Sequence, residues 1–104
     1  MIVSTTETIS GHEIAQTLGV ARGNTIRARH VGTDIIAGLR NLVGGEVSEY
    51  TKLMAEAREQ SMDRMIQNAK DMGADAVVSM RFSTSMITQG AAEILAFGTA
   101  VRLK

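Results

Sequence analysis

From about Glu46 to Met72 the chain carries neither proline nor glycine, and apolar or small residues recur mainly at steps of three and four: Tyr50, Leu53, Met54, Ala57, Ser61, Met65, Ala69 and Met72. That spacing places them along one face of a helix. Glu49, Lys52, Glu56, Glu59, Asp63, Arg64 and Lys70 fall on the opposite face. There Lys52 meets Glu49 three residues back and Glu56 four residues on. At 1.5 Å per residue such a helix is about 40 Å long. A compact domain of about 100 residues has a radius of gyration near 13 Å. Part of the helix is therefore expected to pack against another subunit.

The flanking segments follow a period of two. In 76–87, Val78, Met80, Phe82, Thr84 and Met86 alternate with Val77, Ser79, Arg81, Ser83 and Ser85, which predicts a strand with one core face. Gln89-Gly90 reads as a turn. In 92–103, Leu95, Phe97, Thr99, Val101 and Leu103 point one way and Ile94, Ala96, Gly98 and Ala100 the other. Both faces are apolar or small, although one covering helix requires only one apolar face. The second face is expected to be buried against a neighbour.

Upstream the pattern is weaker. Residues 1–11, rich in Thr and Ser, read as a short strand and a turn at Gly11. Residues 12–29 read as one long or interrupted strand through Ile14, Leu18, Val20 and Ile26. Gly19 marks a bulge or a close backbone approach, and Gly23-Asn24 a turn or second irregularity. Ile35, Ile36, Leu39, Leu42 and Val43 predict a short helix over 33–43, capped by Thr33 or Asp34 and ended by Gly44-Gly45. Gly73 ends the long helix. Gly98, inside a strand, permits close approach of another group. The expected fold is α+β and two-layered: an antiparallel sheet packed by a long helix plus a short helix, in one domain spanning 1–104.

Composition narrows the function classes. With 11 basic and 11 acidic residues the formal net charge is zero, so no global field attracts nucleic acid or an anionic membrane. Arg22, Arg27, Arg29, His30 and Arg40 cluster in sequence and are read as a solvated strand edge and loop. Tyr50, Phe82 and Phe97 are the whole aromatic complement, too few for a base-stacking platform. The chain has no cysteine, which excludes disulfides, thiolate catalysis and cysteine zinc sites. No stretch approaches the ~20 apolar residues of a membrane helix, and Met1–Thr6 lacks the pattern of a signal peptide. These features lead to the expectation of a cytoplasmic protein.

No catalytic constellation is present. His12 and His30 lie 18 residues apart without ligand spacing. Met62 and Met65 could meet as thioether ligands, but methionines at helical spacing are read as core. Gly-x-Ser-x-Gly and Walker patterns are both missing. Glu46 is the candidate metal ligand: it opens the long helix, where orphan N–H groups and the helix dipole stabilise a carboxylate. The same features make it an ordinary cap in a lone subunit, whereas several copies around an axis would draw a cation. Gly44 and Gly45 can present N–H groups to a ligand, though Glu46 and Glu49 oppose an anion. Tyr50, one turn on from Glu46, completes the candidate ligand set. Arg58 is read as a salt-bridge partner between subunits.

Several blocks resemble the YbjQ-like family, labelled putative heavy-metal-binding. They are Thr5-Thr6, Gly11 with Ile14, Gly38-Leu39-Arg40-Asn41, Val43-Gly44-Gly45-Glu46, Tyr50, Ala57-Arg58, Gly73-Ala74-Asp75-Ala76-Val77-Val78 and Gly98-Thr99-Ala100-Val101. The resemblance covers nearly the whole chain. It implies a small two-layer subunit of a ring-shaped homopentamer, and it brings no catalytic mechanism. The resulting expectation is a non-enzymatic, homo-oligomeric binding protein holding a metal cation or small ligand at subunit junctions. The alternatives are an interaction module with no small ligand, and a carboxylate-dependent enzyme using Glu46 with Tyr50.

Overall fold

The computed structural model describes residues 1–27, 48–88 and 91–104. The helix expected over 33–43 and the turn at Gln89-Gly90 lie outside the described residues. The chain runs β1 (Ile2–Val3), β2 (Ile14–Arg27), α1 (Ser48–Asp71), β3 (Ala76–Thr88) and β4 (Ala91–Leu103). The strands form one sheet in the order β1-β3-β4-β2. The architecture is α+β, with α1 packed on one face of the sheet. The three long strands are antiparallel, but β1 pairs parallel to β3 through Ile2↔Ala76 and Val3↔Val77. The sheet is therefore mixed, with this short parallel edge as its departure from the antiparallel expectation.

The long helix forms where the apolar spacing places it. Ala57, Ser61, Met65 and Ala69, each four residues apart, are fully buried, while Lys52, Glu56, Glu59, Asp63 and Lys70 are exposed. Lys70 in the last turn complements the negative end of the helix dipole. Gly73 adopts φ +84°. Its N–H donates to the Lys70 carbonyl and the Ala74 N–H to the Ala69 carbonyl, both at 3.0 Å, closing the helix in a Schellman motif. Arg102 donates from Nε to the Gly73 carbonyl at 3.0 Å, tying β4 to this corner.

Two features of the strands differ from the sequence expectation. β2 is continuous through Gly23-Asn24, with Gly23 paired to Ala96 and Asn24 to Leu95, so no turn interrupts it. Gly23 serves packing instead: a Cβ there would lie 2.2 Å from the Met65 backbone N and 2.4 Å from the Ser61 carbonyl oxygen. The helix backbone rests directly on the strand, and no side chain fits between. The irregularity sits at Gly19, where the register shifts and φ is +134°.

The second difference is in β3. The register between β3 and β4 shifts between Val78 and Arg81, and Ser79 takes φ 53°. A bulge there moves the following residues by one position, and a shift by one exchanges the faces of a strand. Val78, opposite Thr99, points away from the helix. Phe82, opposite Ala96, and Thr84, opposite Ile94, share the helix-side face with Val77, opposite Ala100. The set Val78, Met80, Phe82, Thr84 and Met86 is thus divided between two faces. The amino-terminal segment holds the bulge in place: Ser79 N–H donates to the Thr6 carbonyl at 2.9 Å and Met80 N–H to the Ser4 carbonyl at 3.0 Å.

The core is small and unevenly placed. On the helix side Ala21, Met65, Ala69, Val77, Met80, Ala96 and Ala100 pack together. On the outer face Ala76, Val78 and Val101 form a second cluster, with Ile9, Ile14 and Leu103 against it. Both clusters favour the end of the sheet where β3 begins and β4 finishes, here the near end. The opposite end, with Phe82–Ile87, Ala91–Phe97 and Ile26, is the far end.

Candidate functional site

The candidate residues belong to the start of α1. Tyr50 lies in the first turn of the helix, two residues after Ser48. Gly44, Gly45 and Glu46 lie outside the described residues. The course of the helix places this end of it. Met72 lies beside Gly19, Asn68 beside Arg22, Arg64 beside Asn24 and Ser61 beside Thr25, so α1 runs antiparallel to β2. From Ser61 back to Ser48 the helix covers about 20 Å. Beyond Thr25 the described part of β2 has Ile26 and Arg27, about 7 Å. The first turns of α1 therefore reach past the described part of the strand.

The helix is seated by polar as well as apolar contacts. Ser61 Oγ lies 2.9 Å from Thr25 Oγ1 and 3.0 Å from the Ile94 carbonyl oxygen. A hydroxyl has one proton. With Ser61 donating to the carbonyl, the Thr25 hydroxyl donates to Ser61, and a buried polar cluster joining α1, β2 and β4 is satisfied. Two further side chains of α1 reach over the edge of the sheet. Asn68 Oδ1 accepts from the Arg22 N–H at 2.9 Å, and Arg64 donates from NH1 to the Asn24 carbonyl at 2.6 Å. Residues two apart on a strand direct their backbone groups to the same side. The edge of β2 at Arg22 and Asn24 is thereby occupied from within the chain. Sequence reasoning missed these contacts. The available signals were a polar Ser61 in the middle of an apolar helical stripe and a glycine at the centre of a long strand.

The remaining sequence candidates are dispersed. His12 is exposed in the turn before β2, its N–H on the Ile9 carbonyl, and His30 is outside the described residues. Met65 is fully buried and Met62 half-buried in the same cluster, so both act as core. Arg22 is exposed on edge strand β2, and Arg58 is exposed on α1. Glu56, Glu59 and Asp63, with Lys52, Ala55 and Gln60, line a shallow open depression on the solvent side of α1. No group of three or more His, Cys, Asp or Glu able to hold a metal ion occurs among the described residues. Within one chain the described donors do not fit a heavy-metal centre. Among the described residues no helix is long and apolar enough to cross a membrane.

Comparison with known families decides the affiliation. A family model described as "Putative heavy-metal-binding", YbjQ_1, matches residues 1–104. The chain belongs to the YbjQ family. Similar proteins carrying the name UPF0145 occur in archaea and bacteria. One from Methanosarcina acetivorans is 60% identical over 103 residues, covering 99% of this chain and 97% of the relative. One from Archaeoglobus fulgidus is 58% identical, covering 100% and 96%. One from Vibrio campbellii is 55% identical, covering 99% of each. A crystal structure of a DUF74-family protein of unknown function from Pediococcus pentosaceus superposes with a TM-score of 0.56 at 15% identity. It covers 100% of this YbjQ-family chain and 98% of its own, and supports the fold alone.

Proposed function

We propose that this YbjQ-family chain is a homo-oligomeric binding protein of the cytoplasm, without catalytic activity, that holds a metal cation or small ligand where subunits meet. The observation that carries the reading is the incomplete cover of the sheet. The helix packs on β2 and β4 and barely touches β3, leaving Phe82 42% and Met86 79% exposed on the helix-side face. The radius of gyration is 16.8 Å, against about 13 Å for a compact chain of this length. Both point to a subunit completed by its neighbours. The resemblance to ring-forming subunits makes a pentamer the preferred assembly.

A ligand site fits this picture at the start of α1. Glu46 would serve as the metal ligand, with Gly44, Gly45 and Tyr50 lining a small-ligand site. One chain lacks a heavy-metal donor set among its described residues. Repetition of one carboxylate around a ring axis would supply the negative charge that a single Glu46 cannot. The absence of cysteine fits a reducing compartment.

Native mass spectrometry of the untagged protein, before and after a chelator, tests both parts. A pentamer with a chelatable mass increment that disappears in Glu46→Gln is the expected result. A metal-free oligomer would favour the second reading, an interaction module with no small ligand, for which the uncovered apolar face is equally suited. A monomer at micromolar concentration would overturn both.

A further inference from the structure

We propose that the outer face of the sheet carries a binding site for a small aromatic anion, a flat ring bearing a carboxylate or phosphate, at the cross-strand row Arg22–Phe97–Arg81. The site lies within one chain and goes beyond the reading above, since it needs neither Glu46 nor an assembly.

The row follows from the register. Phe97 on β4 pairs with Arg22 on β2 and with Arg81 on β3. Residues directly opposite one another share a face of the sheet. A half-buried ring therefore stands between two exposed arginines. The two arginine Cα atoms are two strand spacings apart, about 10 Å.

The bulge at Ser79 creates this row. Counting on from Val78, which lies opposite Thr99, an unbulged strand would set Met80 opposite Phe97. The bulge instead sets Arg81 there and turns Met80 into the helix-side core. The left-handed serine that makes the bulge, at φ 53°, is strained by about 1 kcal/mol or more. Arg81 is also fixed before any ligand arrives. Its Nη1 donates to the Thr5 carbonyl at 2.9 Å and to the Met80 carbonyl at 2.8 Å. Nε and Nη2 remain as donors, and part of the ordering cost of binding is already met.

The surroundings favour an anion. The adjoining rows are Val20–Thr99–Val78 on the near side and Asn24–Leu95–Ser83 on the far side, and neither carries an acid. Glu93 shares this face of β4 but lies about 13 Å along the strand from Phe97, where it accepts from Asn24 Nδ2 at 3.2 Å. Among the described residues the one ion pair is Lys104–Glu13 at the near end, so neither arginine is in an ion pair there. The strand face also favours a flat ligand. A ring laid on Phe97 buries apolar surface on both partners. Its oxyanion then meets guanidinium N–H donors, which match carboxylate and phosphate in geometry as well as charge. An aliphatic acid would leave Phe97 uncovered.

Amide-resolved NMR titration of the full chain with naphthoate, and separately with naphthyl phosphate, tests the site. Saturable shifts centred on Arg22, Arg81 and Phe97 are expected, and the tighter of the two probes identifies the oxyanion. Arg22→Gln, at an exposed edge position, should weaken binding about tenfold through loss of charge-assisted hydrogen bonds. Phe97→Leu keeps an apolar side chain and should weaken it several-fold by removing the ring. Lys52→Gln, on the solvent side of α1, should leave the affinity unchanged. The neutral naphthamide should bind about tenfold more weakly than naphthoate. The spectra themselves show whether each variant is folded. No saturable shift at millimolar probe, shifts confined to Phe82 and Met86 on the helix side, equal binding of the amide, or unchanged affinity in Arg22→Gln would each overturn the proposal. None of these results bears on the oligomeric reading, which native mass spectrometry tests separately.

Discussion

The near and far ends of the sheet are built from the same strands, yet they reach very different degrees of closure within one chain. At the near end, Val77 and Ala100 are buried under α1, while Ala76, Val78 and Val101 are buried on the other face beneath Ile9 and Ile14. Asp75 accepts from the Leu103 N–H at 2.9 Å, and Lys104 N–H donates to the Glu13 carbonyl at 2.9 Å. Apolar faces and backbone groups there find partners locally. At the far end, Phe82 and Met86 on one face and Ile26 on the other remain in contact with water. A single 24-residue helix lying over β2 and β4 covers β3 only at its start, at Val77 and Met80. The lesson is that one chain completes only one end of its own sheet and leaves apolar residues of the other end exposed.

The contrast is broken most severely at its covered side. Met65, fully buried beneath the helix, and Met86, 79% exposed, form a natural pair for comparison. Met65→Ala is expected to cost about 2–5 kcal/mol in urea denaturation, through lost transfer energy and a residual cavity. Met86→Ala should change the stability of the isolated chain by less than about 0.5 kcal/mol. Its effect should appear as weakened assembly on dilution. Equal losses for the two, independent of concentration, would remove the distinction between the ends.

A second perturbation acts where the helix sits down on the sheet. Gly23→Val places side-chain atoms into the backbone of Ser61 and Met65, and displacing the helix should cost about 3 kcal/mol by the overpacking scale. A melting temperature within a degree or two of wild type would mean that the helix does not rest on β2 as described. Ser61→Ala is milder than Gly23→Val. It removes one partner each from the buried Thr25 hydroxyl and the Ile94 carbonyl, with an expected loss of about 1–2 kcal/mol in thermal or urea unfolding. Adding Thr25→Val should recover part of that loss, since no unpartnered hydroxyl then remains at position 25.

Much of the architecture was legible in the sequence because burial and periodicity coincide there. The stripe Ala57, Ser61, Met65, Ala69 and the stop at Gly73 are visible in both. The doubly apolar β4 was equally clear, and Ile94, Ala96 and Ala100 are the residues buried beneath the helix. Bulges were harder to read. One left-handed serine at position 79 exchanges the faces of all that follows it, and serine carries no local signature of that conformation. Gly23-Asn24 was read as a turn or a second irregularity because a glycine required for helix approach and one required for a turn look alike in sequence. Of the candidate site, only the position of Tyr50 in the first turn of α1 is fixed by the described residues. The proposed site, if built from repeated copies, would leave little trace in the pattern of one chain, since its ligands would need no spacing relative to one another.

The central claim, that the far end is closed by a second copy, can be tested directly through methionine oxidation by hydrogen peroxide, whose rate follows exposure. In the single chain Met86 is 79% exposed and Met1 44%. In the native protein at assembling concentration, peptide mass mapping should find Met86 oxidised more slowly than Met1, and the order should reverse on dilution to the single chain. Faster oxidation of Met86 than of Met1 in the wild type would contradict the account.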